Sequence, residues 1–171
     1  MLHPRLLSRR HLLALGTASV AGARLHAQSP QPPGPSAPPP RPDPLPQGLV
    51  REFVGKAHTD FDATRTLLAE HPSLLNATWD WGGGDFETGL GGASHMGSRD
   101  IAEFLIGQGA RMDLFTAVML GRLDIVTPML TAYPALLQSR GPHGLTLLHH
   151  ARKGGEPARA VLDYLARLGA S

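Results

Sequence analysis

The stretch Asp62-Ala63-Thr64-Arg65-Thr66-Leu67-Leu68-Ala69-Glu70-His71-Pro72-Ser73-Leu74-Leu75 falls on Asp124-Ile125-Val126-Thr127-Pro128-Met129-Leu130-Thr131-Ala132-Tyr133-Pro134-Ala135-Leu136-Leu137 when the chain is slid by 62 residues. Both read as a short helix followed by x-Pro-small-Leu-Leu. A second pair lies between them. Thr88-Gly89-Leu90-Gly91-Gly92-Ala93-Ser94-His95-Met96-Gly97 falls on Thr146-Leu147-Leu148-His149-His150-Ala151-Arg152-Lys153-Gly154-Gly155 at a shift of 58, and each is followed by an amphipathic helix ending in Gly-Ala, at Gly109-Ala110 and Gly169-Ala170. A shift of 62 is twice 31, close to the ~33-residue period of helix-turn-helix repeat arrays.

Four units follow, each a pair of short antiparallel helices: Leu49–His58 with Asp62–His71, Gly89–Met96 with Asp100–Gln108, Leu114–Leu120 with Asp124–Ala132, and Leu147–Lys153 with Pro157–Leu168. Ala57, Ala93, Ala117 and Ala151 are small enough to let paired helices approach. Gly97, Gly121 and Gly155 end the first helices, because glycine tolerates a left-handed backbone. Asp62, Asp100 and Asp124 favour the start of the second helices, and Pro157 suits a first turn. One unit alone cannot bury its apolar face; stacking does that.

Thr146-Leu147-Leu148-His149-x-Ala151 resembles the Thr-Pro-Leu-His-x-Ala signature of ankyrin repeats. Gly97-Ser98-Arg99-Asp100-Ile101 and Gly121-Arg122-Leu123-Asp124-Ile125-Val126 resemble its second signature, Gly-x-x-Asp-Ile-Val, and the two Gly-Ala pairs match the close of the second helix. The resemblance covers Leu49 to Ser171. It implies an all-α ankyrin-repeat solenoid of about four helix-turn-helix units (about 49–80, 81–111, 112–140 and 141–171), preceded by a disordered N-terminal segment. His149 is then the structural histidine of the signature. The chain departs from the pattern where Phe53, Gly91 and Phe115 replace that histidine and where Gly89 and Leu147 replace the signature proline. The third unit lacks most of the usual turn.

The flanks divide the chain further. Ser8-Arg9-Arg10-His11-Leu12-Leu13 resembles the twin-arginine export motif. It is followed by a mildly apolar run, Leu12 to Ala23, too short and too weak to span a bilayer, and by small-residue cleavage candidates at Ala21-Gly22-Ala23 and Leu25-His26-Ala27. Residues 1–27 therefore read as a removable signal peptide, which places the protein in the periplasm or otherwise outside the cytoplasm, with no stable membrane span once the signal is removed. Residues 28–47 contain ten prolines and form an extended linker, because proline fixes φ and removes amide donors. Residues 48–171 are the repeat domain.

Composition excludes several functions. Of the 16 Lys and Arg, Arg5, Arg9, Arg10 and Arg24 fall in residues 1–27, which hold no acidic residue; the rest of the chain carries 12 basic and 14 acidic side chains. A weakly acidic domain has no general footprint for nucleic acid. With no cysteine, disulfides, thiolate metal sites and cysteine nucleophiles are excluded. No nucleophile elbow, phosphate loop or dinucleotide fingerprint is present, so no catalytic residue, metal ligand or cofactor is assigned.

The remaining signal is Trp79-Asp80-Trp81-Gly82-Gly83-Gly84-Asp85-Phe86-Glu87, between units one and two, which holds both tryptophans of the chain. Aromatics beside charges are the composition of a binding hot spot. The residues before each glycine position should face the open groove, making His95, Met96 and Met119 candidates alongside Trp79, Asp80, Trp81, Asp85, Phe86 and Glu87. His143 and His150 are expected at the surface. The function expected is a non-enzymatic, exported, monomeric scaffold for a protein partner. The alternative is a small-molecule or metal-binding module on Asp80, Asp85, Glu87 and His95.

Overall fold

The computed structural model describes residues 42–171; the expected signal peptide, the disordered segment and residues 28–41 of the expected linker lie outside them. The described part carries eight α-helices: α1 (Gln47–Lys56), α2 (Phe61–Glu70), α3 (Gly89–Met96), α4 (Arg99–Gly107), α5 (Leu114–Met119), α6 (Leu123–Ala132), α7 (Leu147–Lys153) and α8 (Arg159–Arg167). Each lies within two residues of its expected bounds. Pro157 belongs to a 3-10 turn, Glu156–Ala158, that leads into α8. Among the described residues no helix is long and apolar enough to cross a membrane.

Capping explains why three of the four first helices, α3, α5 and α7, start where they do. Thr88, Asp113 and Thr146 each accept a hydrogen bond from the amide three residues on, at Gly91 (3.0 Å), Thr116 (2.8 Å) and His149 (3.1 Å), which satisfies an amide that the helix cannot. Asp60 does the same for α2 from Ala63. The internal repeat is also visible in the backbone. His71 and Tyr133, at matching positions, share φ −133° and ψ 74°, and each opens a 3-10 turn, Pro72–Asn76 or Pro134–Gln138.

Two apolar clusters hold the stack. Phe53, Val54, Leu74, Leu90, Ile101 and Leu105 form the core of units one and two, and Met119 of α5 packs into it. Leu114, Val118, Val126, Leu147, Val161 and Leu165 form that of units three and four. In a linear solenoid each repeat touches only its neighbours. Here unit two also meets unit four: the His149 imidazole Nε2 lies 2.9 Å from the His95 carbonyl, and a Cβ on Gly97 would sit 2.5 Å from the Lys153 carbonyl oxygen. The missing side chain at Gly97 is what lets α3 and α7 close on each other beside the six-residue α5.

The segment expected as a loop between units one and two is a β-hairpin. β1 (Thr78–Asp80) pairs antiparallel with β2 (Phe86–Thr88) in the register Thr78↔Thr88, Trp79↔Glu87, Asp80↔Phe86. Side chains alternate across a strand, so Trp79 and Glu87 turn inward together while Asp80 and Phe86 turn outward. With this two-stranded hairpin as the one sheet among the described residues, the fold is mostly helical and compatible with the all-α class expected.

Gly121 and Gly109 both have positive φ (75° and 94°), but a Cβ on Gly121 would lie 2.1 Å from the Pro157 carbonyl oxygen whereas one on Gly109 meets nothing. Gly109→Ala should cost about 1 kcal/mol, the left-handed penalty alone, and Gly121→Ala at least twice that because backbone must move as well. Urea denaturation of both variants tests this; equal losses would show that the approach of α8's leading turn to Gly121 contributes nothing.

Candidate functional site

Glu87 sits at the inner position of β2 and is 1% exposed. Burying a carboxylate costs several kcal/mol unless partners replace its water. Four side chains from different elements surround it. Trp81 donates its indole N–H to Oε2 at 2.8 Å. His95, on α3, brings Nε2 within 3.0 Å of Oε1. His58, just after α1, brings Nε2 within 3.3 Å of Oε2. His143, in the turn before α7, brings Nε2 within 3.5 Å of Oε2. Burial alone pushes the Glu87 carboxyl up; His58, His95 and Trp81 together outweigh burial and hold it well below the usual carboxylate range. Glu87 in turn raises His58 above its ordinary value, against the opposing effect of that ring's partial burial.

Each ring is held from behind. His58 Nδ1 lies 2.8 Å from the Val54 carbonyl oxygen. Since a carbonyl only accepts, Nδ1 carries a hydrogen and Nε2 is directed at Glu87. Asp85 clamps His143 twice, taking the backbone amide on Oδ1 at 2.8 Å and the ring Nδ1 on Oδ2 at 2.7 Å. His143 has φ 58° and is the one non-glycine residue at positive φ among those described, a strain of order 1–3 kcal/mol that surrounding contacts must sustain.

The hairpin turn positions Asp85. Asp80 accepts the amides of Gly82 (2.9 Å) and Gly84 (3.2 Å), and Gly82, Gly83 and Gly84 all take positive φ. Glycines also open α3, for a different reason. A Cβ on Gly92 would lie 2.7 Å from His58 Nδ1, and one on Gly91 would lie 3.3 Å from Glu87 Cγ. These positions are empty so that the imidazole and the carboxylate can approach the helix.

The sequence-predicted residues fall into three groups. Asp85, Glu87, His95 and Trp81 come together in the cluster. Asp80 and the exposed Phe86 turn outward, and the half-buried Trp79, on the inner face, joins them in lining a groove beside α1. Met119 is fully buried in the first core cluster and offers no surface, because α5 is enclosed between its neighbours; Met96 does stay exposed. Glu87 and His95 are also buried, so they act inside the site and not as a contact surface. His150 is 1% exposed, with its ring beside Phe115, and burial lowers its pKa; it is not the surface residue expected. His58 and His143 were not singled out as site residues. The glycine-rich opening of α3 was the available signal, since three glycines in a first turn demand a close neighbour.

Among the described residues, His58, Glu87, His95 and His143 form the one group of ligating side chains able to hold an ion, one atom from each lying within 4.8 Å of the others. No protein-family description matches the chain, and no curated protein or solved structure is significantly similar to it.

Asp85→Ala should free the His143 turn from the hairpin. Hydrogen exchange of the His143 amide is expected to accelerate about tenfold, as loss of ~1.4 kcal/mol from a partly exposed charge-assisted bond implies, with exchange in the α7 core unchanged. Unaltered exchange at His143 would mean that the turn is held without the hairpin.

Proposed function

We propose that the chain is an exported, non-enzymatic binding scaffold of ankyrin type, monomeric, which presents the outer side of its hairpin to a protein partner. One observation carries this reading. Phe86, 60% exposed, stands at the edge of a groove of about 480 Å³. Leu45, Val50, Ala77 and Trp79 line its floor, and the Arg51 guanidinium lies 6.0 Å from the Trp79 ring centroid. An apolar recess with an aromatic rim and a cation beside it suits an inserted apolar side chain of a partner, and aromatics and arginine dominate such contacts. The repeats supply a rigid mount, since the hairpin packs on α1 and leads directly into α3.

The groove is separable from the buried cluster. Trp81 serves Glu87 and packs edge-on against Trp79 in the groove, so replacing it disturbs both sites; Phe86 turns outward and belongs to neither core cluster. Phe86→Ala should leave the melting temperature nearly unchanged, within the ~0.5 kcal/mol usual for surface changes, and should abolish capture of the partner when the full-length protein is crosslinked in intact periplasm. Equal capture by the native and Phe86→Ala proteins would remove the groove from the binding surface.

A further inference from the structure

The geometry points to a divalent transition-metal site, zinc by preference, formed by His58 Nε2, Glu87, His95 Nε2 and His143 Nε2. It is separate from the hairpin groove and stands whether or not that groove binds a partner.

The contacts around Glu87 are too close to ignore and too badly aimed to be hydrogen bonds. His95 Nε2 and Glu87 Oε1 are 3.0 Å apart, both buried, and neither has a hydrogen-bond partner. His58 and His143 likewise reach Glu87 without hydrogen-bond alignment; the one aligned donor is the Trp81 indole. Three imidazole nitrogens and a carboxylate oxygen that lie within 4.8 Å of one another are close enough to share an ion. With Nδ1 of His58 facing Val54 and Nδ1 of His143 facing Asp85, both rings turn Nε2 toward the carboxylate, so a bound cation would take the place of the protons that those nitrogens carry beside Glu87 in its absence.

The spacing fits. Two ligands on bonds of ~2.0–2.1 Å at a tetrahedral angle stand ~3.3–3.4 Å apart. His95 Nε2 stands 3.0 Å from Oε1, and one ligand atom from each of the four residues lies within 4.8 Å of the others. The donor set selects the metal class. Three imidazoles with one carboxylate suit zinc and its first-row neighbours, whereas calcium and magnesium take oxygen ligands.

The surroundings are those of a built site. Asp85 behind His143 is the carboxylate–histidine pairing that fixes the tautomer and orientation of metal-bound imidazoles, and the Val54 carbonyl does the same for His58. Trp81 occupies Oε2, which leaves Oε1 free for the ion. Gly92 makes room for the His58 ring, and the strained His143 backbone is held in the direction that brings its ring inward. The four ligands come from the end of α1, β2, α3 and the turn before α7, so one ion would tie units one, two and four together.

The test uses the full chain, stripped with chelator and titrated with Zn²⁺, Co²⁺, Mg²⁺ and Ca²⁺ by calorimetry, with visible absorption followed for Co²⁺. One Zn²⁺ per chain is expected at micromolar affinity or better, with an intense Co²⁺ band typical of four-coordination and no response to Mg²⁺ or Ca²⁺. His143→Ala alters an exposed turn and should keep the stripped protein's circular dichroism while weakening Zn²⁺ at least tenfold; Asp85→Asn should weaken it roughly 10–100-fold. Absence of one-to-one Zn²⁺ or Co²⁺ binding, or binding unaffected by His143→Ala in a folded variant, would overturn the site.

Discussion

Glu87 is the constraint around which the described structure is arranged. An ionised carboxylate placed at an inner strand position must recover several kcal/mol of lost hydration, and no single neighbour can supply that. The protein brings the compensation from four directions: an indole N–H from its own hairpin and imidazoles from three other elements. Removing one partner from such a group leaves a buried charge exposed to the full penalty, which is why broken buried pairs cost far more than intact ones contribute. The hairpin, the start of α3 and the turn before α7 therefore depend on one another through a single side chain.

That dependence accounts for a local choice that otherwise makes no sense. A helix opening Gly89-Leu90-Gly91-Gly92 gives up about 1 kcal/mol per glycine relative to alanine. The helix persists because Thr88 caps it and because Leu90 and Ala93 are buried in the first core cluster. In return, the absent side chains admit Phe53 at Gly89, Glu87 at Gly91 and His58 at Gly92. Conflict between local propensity and the adopted structure tends to mark functional places, and here it falls on the helix that also carries His95.

Most of the helical skeleton was legible in the sequence, because its signals are local. The x-Pro-small-Leu-Leu repeats return as the same backbone angles at His71 and Tyr133, and Gly97 and Gly121 end helices by the left-handed turn expected of them. What was not legible depends on contacts remote in sequence. The glycine run in Trp79–Glu87 suggested a loop, but alternation of Trp79 and Glu87 against Asp80 and Phe86 is also a strand pattern, too short at three residues to declare itself. Met119 and His150 looked accessible because helix period alone does not show that neighbours enclose α5 and α7. The cluster was half legible for the same reason: Glu87 and His95 stood among the candidates of the metal-binding alternative, but His58 and His143 lie far from them in sequence and no spacing rule joins the four.

The direct approach of α3 to α7 gives the cluster its shape. Were these two helices held apart, the turn carrying His143 could not reach His95. The short α5 and the bare Gly97 allow α3 and α7 to touch, and the His149–His95 carbonyl contact fixes their relative height. Asp85 then joins the hairpin of unit two to the turn of unit four. The short α5 and the bare Gly97 are thus the features that bring the four residues together, and the hairpin that supplies Glu87 to the inside presents Phe86 on its other face.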